Sequence, residues 1–299
     1  MPGPRPRSGD DHTINTAFGV NPQPAQPQGN APPSLPQAPA RATGVPSRRV
    51  PPLPSRPEQP AWYLEVPLLI AGYIAFGLAR AAVDRGEPAA TDNALRVQRL
   101  EQLLHIAIEH PLNNAVLAHP AAIHSTGYFY RLSVLAVPAV LIWLRLARRT
   151  HYGHLRTALV VTMLLDLPLV WLYPEAPPRF AQPGIVDYMA THDILHSAQS
   201  RVPRPGVNLL AAMPSMHVAW TTWCAYAVWS ALRDRAPRAA HAAWLFPSAT
   251  AFVVLVTGHH YVLDVLAGVA LVAVAVALTG WVTRWSRRRS GEFLPALKQ

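Results

Sequence analysis

Apolar residues along this chain collect into runs instead of alternating with polar ones. Six runs approach the roughly 20 residues that cross a bilayer core: 62–82, 127–146, 155–173, 214–232, 241–257 and 260–282. Between the first two lies NALRVQRLEQLLHIAIEHPLNNAVLAH. Its Leu95, Leu100, Leu103, Leu104, Ile106, Ala107 and Leu117 suit one amphipathic helix on the membrane surface. The pattern predicts an all-α, polytopic membrane bundle: six transmembrane helices over 61–284 plus a surface helix.

Composition agrees. The chain is 51% hydrophobic and 14% charged, against about 25% charged in soluble domains. Residues 1–60 hold half of the 32 prolines and bury too little apolar surface to offset ordering entropy. They read as a disordered cytoplasmic tail with no early apolar run, and 285–299 as a second, basic tail. Cys224, the single cysteine, sits in an apolar run and reads as a packing residue.

The net charge of +10 is carried by arginines that border the apolar runs. That distribution sets topology and forms no nucleic-acid stripe, so no nucleic-acid partner is expected. With the N-terminus inside, Arg145, Arg148, Arg149, Arg156, Arg233, Arg235, Arg238, Arg284 and Arg287 also fall inside. Both termini are therefore expected in the cytoplasm of a cell-membrane protein. YPEAPPRF, AAMPSMH and TGHHYVLD then meet on the outer face.

These stretches carry chemistry. His260 and Asp264 are four apart and share a helix face. A carboxylate that accepts one imidazole N–H leaves the other nitrogen as a nucleophile. In MPSMH a proline opens a helix whose free N–H groups near Ser215 and Met216 favour an anion. His217, in the same turn, is placed to protonate a leaving oxygen. Arg179 offers a fork of donors for phosphate. Together they predict a phosphoryl-transfer site. Paired histidines in a membrane also suit haem or a metal. In THDILHS, His192, Asp193 and His196 could ligate metal, but a solvated loop is the simpler reading. Asp166 lies inside the third run, roughly 12 Å from Pro174 at 1.5 Å per residue. It is expected to bond a neighbouring helix as a protonated acid, out of reach of the outer site.

At these residues the chain resembles the type 2 phosphatidic acid phosphatase superfamily, whose motifs are Lys-x6-Arg-Pro, Pro-Ser-Gly-His and Ser-Arg-x5-His-x3-Asp. The resemblance runs from about Trp62 to Arg284. It implies that His260 becomes a phosphohistidine, that Asp264 orients it and that His217 is the general acid. It also implies that Ser215 and Arg179 bind phosphate, with no metal or cofactor. The chain departs from the motifs at Leu172 for lysine, Phe180 for the proline after arginine, Met216 for glycine, and Val253-Val254 for Ser-Arg. APPR, AAMPSMH and GHHYVLD look like the inositol phosphorylceramide synthase (aureobasidin-resistance) branch and its bacterial relatives. The resemblance thus implies a lipid phosphate substrate in the bilayer, with water or an alcohol such as inositol as acceptor. His259, Arg201 and Arg204 are candidates to replace the absent cations, and NLLAAMPSMH also places Asn208 near the site. A non-catalytic lipid transporter or scramblase on the same scaffold is the alternative.

Overall fold

The computed structural model describes residues 61–82, 86–195 and 208–293. The expected tail over 1–60 lies outside the described residues, as do Arg201, Arg204 and His196. Among the described residues there are helices and no strand, only one isolated bridge between Glu175 and Ala211. In chain order the helices are α1 (Trp62–Ala81), α2 (Glu87–Leu103), α3 (Glu109–Leu117), α4 (Pro120–Ser133), α5 (Ala136–Ala147) and α6 (Arg149–Leu172). They continue as α7 (Pro178–Ala181), α8 (Tyr188–Thr191), α9 (Met216–Leu232), α10 (Pro237–Ala242), α11 (Leu245–Val256) and α12 (Val262–Phe293).

Four stretches are continuous and apolar enough to span a membrane: Trp62–Ala81, Arg149–Leu172, Pro237–Val256 and Val262–Ser286. The chain is a multi-pass membrane protein. The expected second span is instead the pair α4 and α5, bent by 46°. The expected fourth span, α9, has 17 residues, about 25 Å at 1.5 Å per residue, short of a hydrocarbon core of about 30 Å. Among the described residues, four stretches are long and apolar enough to span, or five with the bent pair counted as one. Helix α12 runs on to Phe293 through the start of the segment expected as a tail.

Helix α9 is the axis of the bundle. Val218, Ala219, Thr222, Trp223, Ala225 and Ala227 are buried around its circumference, the pattern of a helix surrounded by others. It packs against α5, α6, α10, α11 and α12. Trp223 Nε1 donates to the Leu155 carbonyl at 2.9 Å, fixing α9 on α6. Helix α1 is peripheral. Most of its apolar side chains face outward, and Glu65 in its first turn is buried between Arg145 and Arg156. Those two arginines, read from the sequence as topology signals, are half-buried and fasten α1 to α5 and α6 through Glu65.

The expected surface helix is two helices. The chain breaks after Leu103, and His105 takes a left-handed φ of 57°. Leu100, Leu103 and Leu104 do not pack on the protein, and Leu103 is 77% exposed. The opposite face, Ala90, Ala94, Val97 and Glu101, is the buried one. Small residues there let α2 approach the start of α12, and the leucines remain for lipid.

Candidate active site

Main-chain hydrogen bonds stitch the three histidine- and proline-bearing stretches together. Glu175 N donates to Leu210 O at 2.9 Å, and Ala212 N donates back to Glu175 O at 3.0 Å. Arg179 N donates to Gly258 O at 2.9 Å, and Ser215 N to Asp264 O at 3.0 Å. Two glycines permit this closeness. Gly258 has a φ of +66°, a left-handed conformation that suits glycine. A Cβ on Gly268 would lie 2.6 Å from the Ser215 carbonyl, so a side chain there would push α12 off the start of α9.

At this junction His260 Nδ1 lies 3.3 Å from Asp264 Oδ2. The same carboxylate oxygen accepts the Tyr261 N–H at 2.9 Å. Asp264 is fully buried and His260 nearly so. The carboxylate thus engages Nδ1 and leaves Nε2 on the side of the ring away from Asp264. The next N–H groups of α12 are capped from afar. Val262 N donates to Glu109 Oε1 at 3.1 Å, and Leu263 N to Glu101 Oε1 at 2.7 Å. Carboxylates at a helix N-terminus satisfy orphan donors and oppose the helix dipole. Burial, then the contact with Glu109, raises the Glu101 carboxyl to about 9. Behind Asp264 sits fully buried Glu175, whose pKa is driven well above the carboxylate range by burial and then by Asp264. The protonated form of Glu175 is favoured, and a protonated carboxyl beside a carboxylate is a donor to it.

His217 stacks on Tyr130 of α4, with ring centroids 4.1 Å apart. Tyr130 also meets His259 at 4.2 Å. A cavity of about 480 Å³ opens beside these rings. His217, His260, Met216, Tyr130 and Asn208 line it, and α1 forms one wall through Tyr73, Ile74, Gly77, Leu78 and Arg80. That size holds a headgroup and the start of a chain.

The other expected site residues fall elsewhere. Ser215 is fully buried, and its Oγ accepts from Val218 N at 3.5 Å as the cap of α9. Its side chain serves the helix start and does not line the cavity. Arg179 is buried 3.3 Å from Asp187, with its guanidinium over Phe180, and does not line the cavity either. His259 Nδ1 lies 3.2 Å from Thr257 O. Burial, followed by the Arg179 charge, holds its pKa well below the usual imidazole range. That favours a neutral ring, and His259 does not line the cavity. Asn208 reaches α1 instead, with Nδ2 donating to Arg80 O at 2.8 Å. His192 and Asp193 are exposed, and no group of three metal-ligating side chains occurs among the described residues.

Asp166 departs most from expectation. It is fully buried with Oδ2 3.1 Å from Arg80 Nη1, so it bonds a neighbouring helix by an ion pair. Through Arg80 it also reaches the cavity it was expected to miss. Arg80, Tyr130, Glu101, Glu109 and Glu175 were not singled out from the sequence. The available signal for Arg80 was a cation inside the apolar run AFGLARAAV.

A family model for the PAP2 superfamily matches residues 95–278, most of the helical bundle. The chain belongs to the PAP2 superfamily. No curated protein and no solved structure gives a significant match. Members of the PAP2 superfamily, the type 2 phosphatidic acid phosphatases, are phosphatase-type enzymes, and membership supports a lipid phosphate substrate within the membrane. The match begins at residue 95, so α1, with Arg80 and most of one cavity wall, lies outside the PAP2 region.

Proposed function

We propose that this protein is a lipid-phosphate phosphatase or phosphotransferase that works through a phosphohistidine on His260. The observation that carries the reading is the His260–Asp264 pair facing the same cavity as His217, beside a wall of apolar α1 side chains. The lipid phosphate comes sideways from the outer leaflet, its chain along Tyr73, Ile74 and Leu78 and its headgroup at the histidines. His260 Nε2 attacks phosphorus, the bond to the leaving oxygen breaks, and His217 gives that oxygen its proton. Water or an alcohol then attacks the phosphohistidine. His217 takes the acceptor's proton, the phosphorus–nitrogen bond breaks, and the free histidine returns. Asp264 holds the His260 tautomer throughout.

The finer reading completes the account. Helices α4–α5 and α9 fill out six spans, both termini lie in the cytoplasm, and the site faces outward. The acceptor is water or an alcohol such as inositol, as in the inositol phosphorylceramide synthase branch. Purified protein in detergent, offered a panel of lipid phosphates and phosphoinositides, tests the activity. Free phosphate and new lipid products are both followed, with His260→Ala as control. Phosphate release that the variant lacks identifies a hydrolase, and a new phosphodiester that the variant does not form identifies a transferase. Equal turnover by wild type and variant contradicts the mechanism.

A further inference from the structure

The motif positions that would supply two phosphate-binding cations hold Leu172 and Val254, and Arg179 is engaged with Asp187 away from the cavity. A phosphoryl group carrying two negative charges still needs donors around its equatorial oxygens. We infer that Arg80 is the cation that binds the substrate phosphate, and that buried Asp166 is its positioning residue. This inference rests on the phosphoryl-transfer reading above.

Arg80 lines the same cavity as His217 and His260, near the end of α1. Its guanidinium is fixed from three directions. Nη1 lies 3.1 Å from Asp166 Oδ2, Nη2 donates to Ala211 O at 2.9 Å, and the guanidinium carbon lies 5.7 Å from the Phe76 ring centre. Its main-chain oxygen accepts from Asn208, so its backbone is tied to the loop that leads into α9. Among the described residues these contacts engage two of the five N–H groups of the guanidinium. The remaining donors suit the fork geometry of a phosphate.

Asp166 explains why an arginine is held there. An ionised carboxylate within a span carries a large desolvation cost unless paired, and Arg80 is its salt-bridge partner among the described residues. The pair is built the wrong way round for a purely structural bridge, because its acid is sealed and its cation lines the cavity. Asp166 neutralises Arg80 before substrate binds and aims the fork at the cavity. Residue 166 belongs to the region matched by the family model and residue 80 does not. The cation is therefore supplied from α1, outside the shared core.

The test compares wild type with Arg80→Ala, Arg80→Lys, Asp166→Asn and the double variant Arg80→Ala/Asp166→Asn, which removes both charges and leaves no unpaired buried acid. His260→Ala is the reference. Binding of inorganic phosphate is read from thermal stabilisation, and kcat and KM from turnover of phosphatidic acid in detergent. Losing a charge-assisted donor corresponds to about a 10- to 100-fold weakening of phosphate binding. The expected result is that loss in Arg80→Ala and in the double variant, and a smaller one in Arg80→Lys and Asp166→Asn. Added guanidinium restores part of the turnover of the double variant and none of that of His260→Ala. Phosphate affinity in the folded double variant equal to wild type overturns the inference, as does absence of phosphate binding by wild type. If His260→Ala turns over normally, the phosphohistidine reading fails by itself, while the phosphate titrations still decide the role of Arg80.

Discussion

At the scale of single residues, the site is a set of side chains whose partners decide what each can do. Asp264 accepts from His260 and from the Tyr261 N–H, so replacing it with asparagine keeps the shape and loses the tautomer. We expect Asp264→Asn to lower kcat by about ten-thousand-fold with little change in melting temperature. A kcat within tenfold of wild type removes Asp264 from the mechanism. His260, Asp264 and His217 stood out against an apolar or proline-rich background, as did Arg179, which does not line the cavity. Arg80 did not, because its meaning comes from Asp166, 86 positions further on. The depth of Asp166 was counted along its own helix, which ignored how far an arginine from α1 reaches. Ser215 was recognised, but its side chain caps α9 and does not line the cavity.

At the scale of elements, two contacts hold the start of α12, next to His260. Gly268 lets α12 press on the start of α9. We expect Gly268→Ala to destabilise the protein by about 1–3 kcal/mol and to lower kcat, because the added Cβ meets a main-chain oxygen. Gly72→Ala on α1, where a Cβ meets nothing within 4 Å, is the neutral control. Equal melting temperatures and turnover for the two variants contradict this packing. The start of α12 also rests on Glu101, whose carboxyl is raised from 4.5 to about 9. A raised carboxyl pKa gives stability that is full below the unfolded value and is lost as pH rises through the folded one. Glu101→Gln keeps an uncharged side chain at every pH. Its melting temperature relative to wild type is therefore expected to climb as pH rises from about 5 to about 9. A difference constant over that range shows that Glu101 does not titrate there. The helical pattern was legible in α1, α6 and α12, whose apolar runs are long. The surface segment was read as one helix and is two, because its leucine pattern does not report the break after Leu103, while its small residues pack on the protein.

At the scale of the whole molecule, arginine placement predicts orientation, and native Cys224 is buried and out of reach of labelling reagents. Cysteines placed at exposed Asp92 and Thr150 should divide in intact cells. Asp92→Cys is expected to react with an impermeant maleimide from outside and Thr150→Cys only after lysis. The opposite pattern inverts the topology and puts the site on the cytoplasmic face. The six-run pattern made a membrane bundle legible. Apolar content alone does not report the bend between α4 and α5 or the shortness of α9.

The central claim is that phosphoryl transfer passes through His260. The direct measurement is brief exposure of purified protein to phosphorus-32-labelled lipid phosphate, alkaline quenching, and a search for acid-labile label on the chain. The account predicts label on wild type, more of it on a variant slowed in its second step, and none on His260→Ala. Turnover of the same lipid by His260→Ala at the wild-type rate, with no label on either protein, would contradict it.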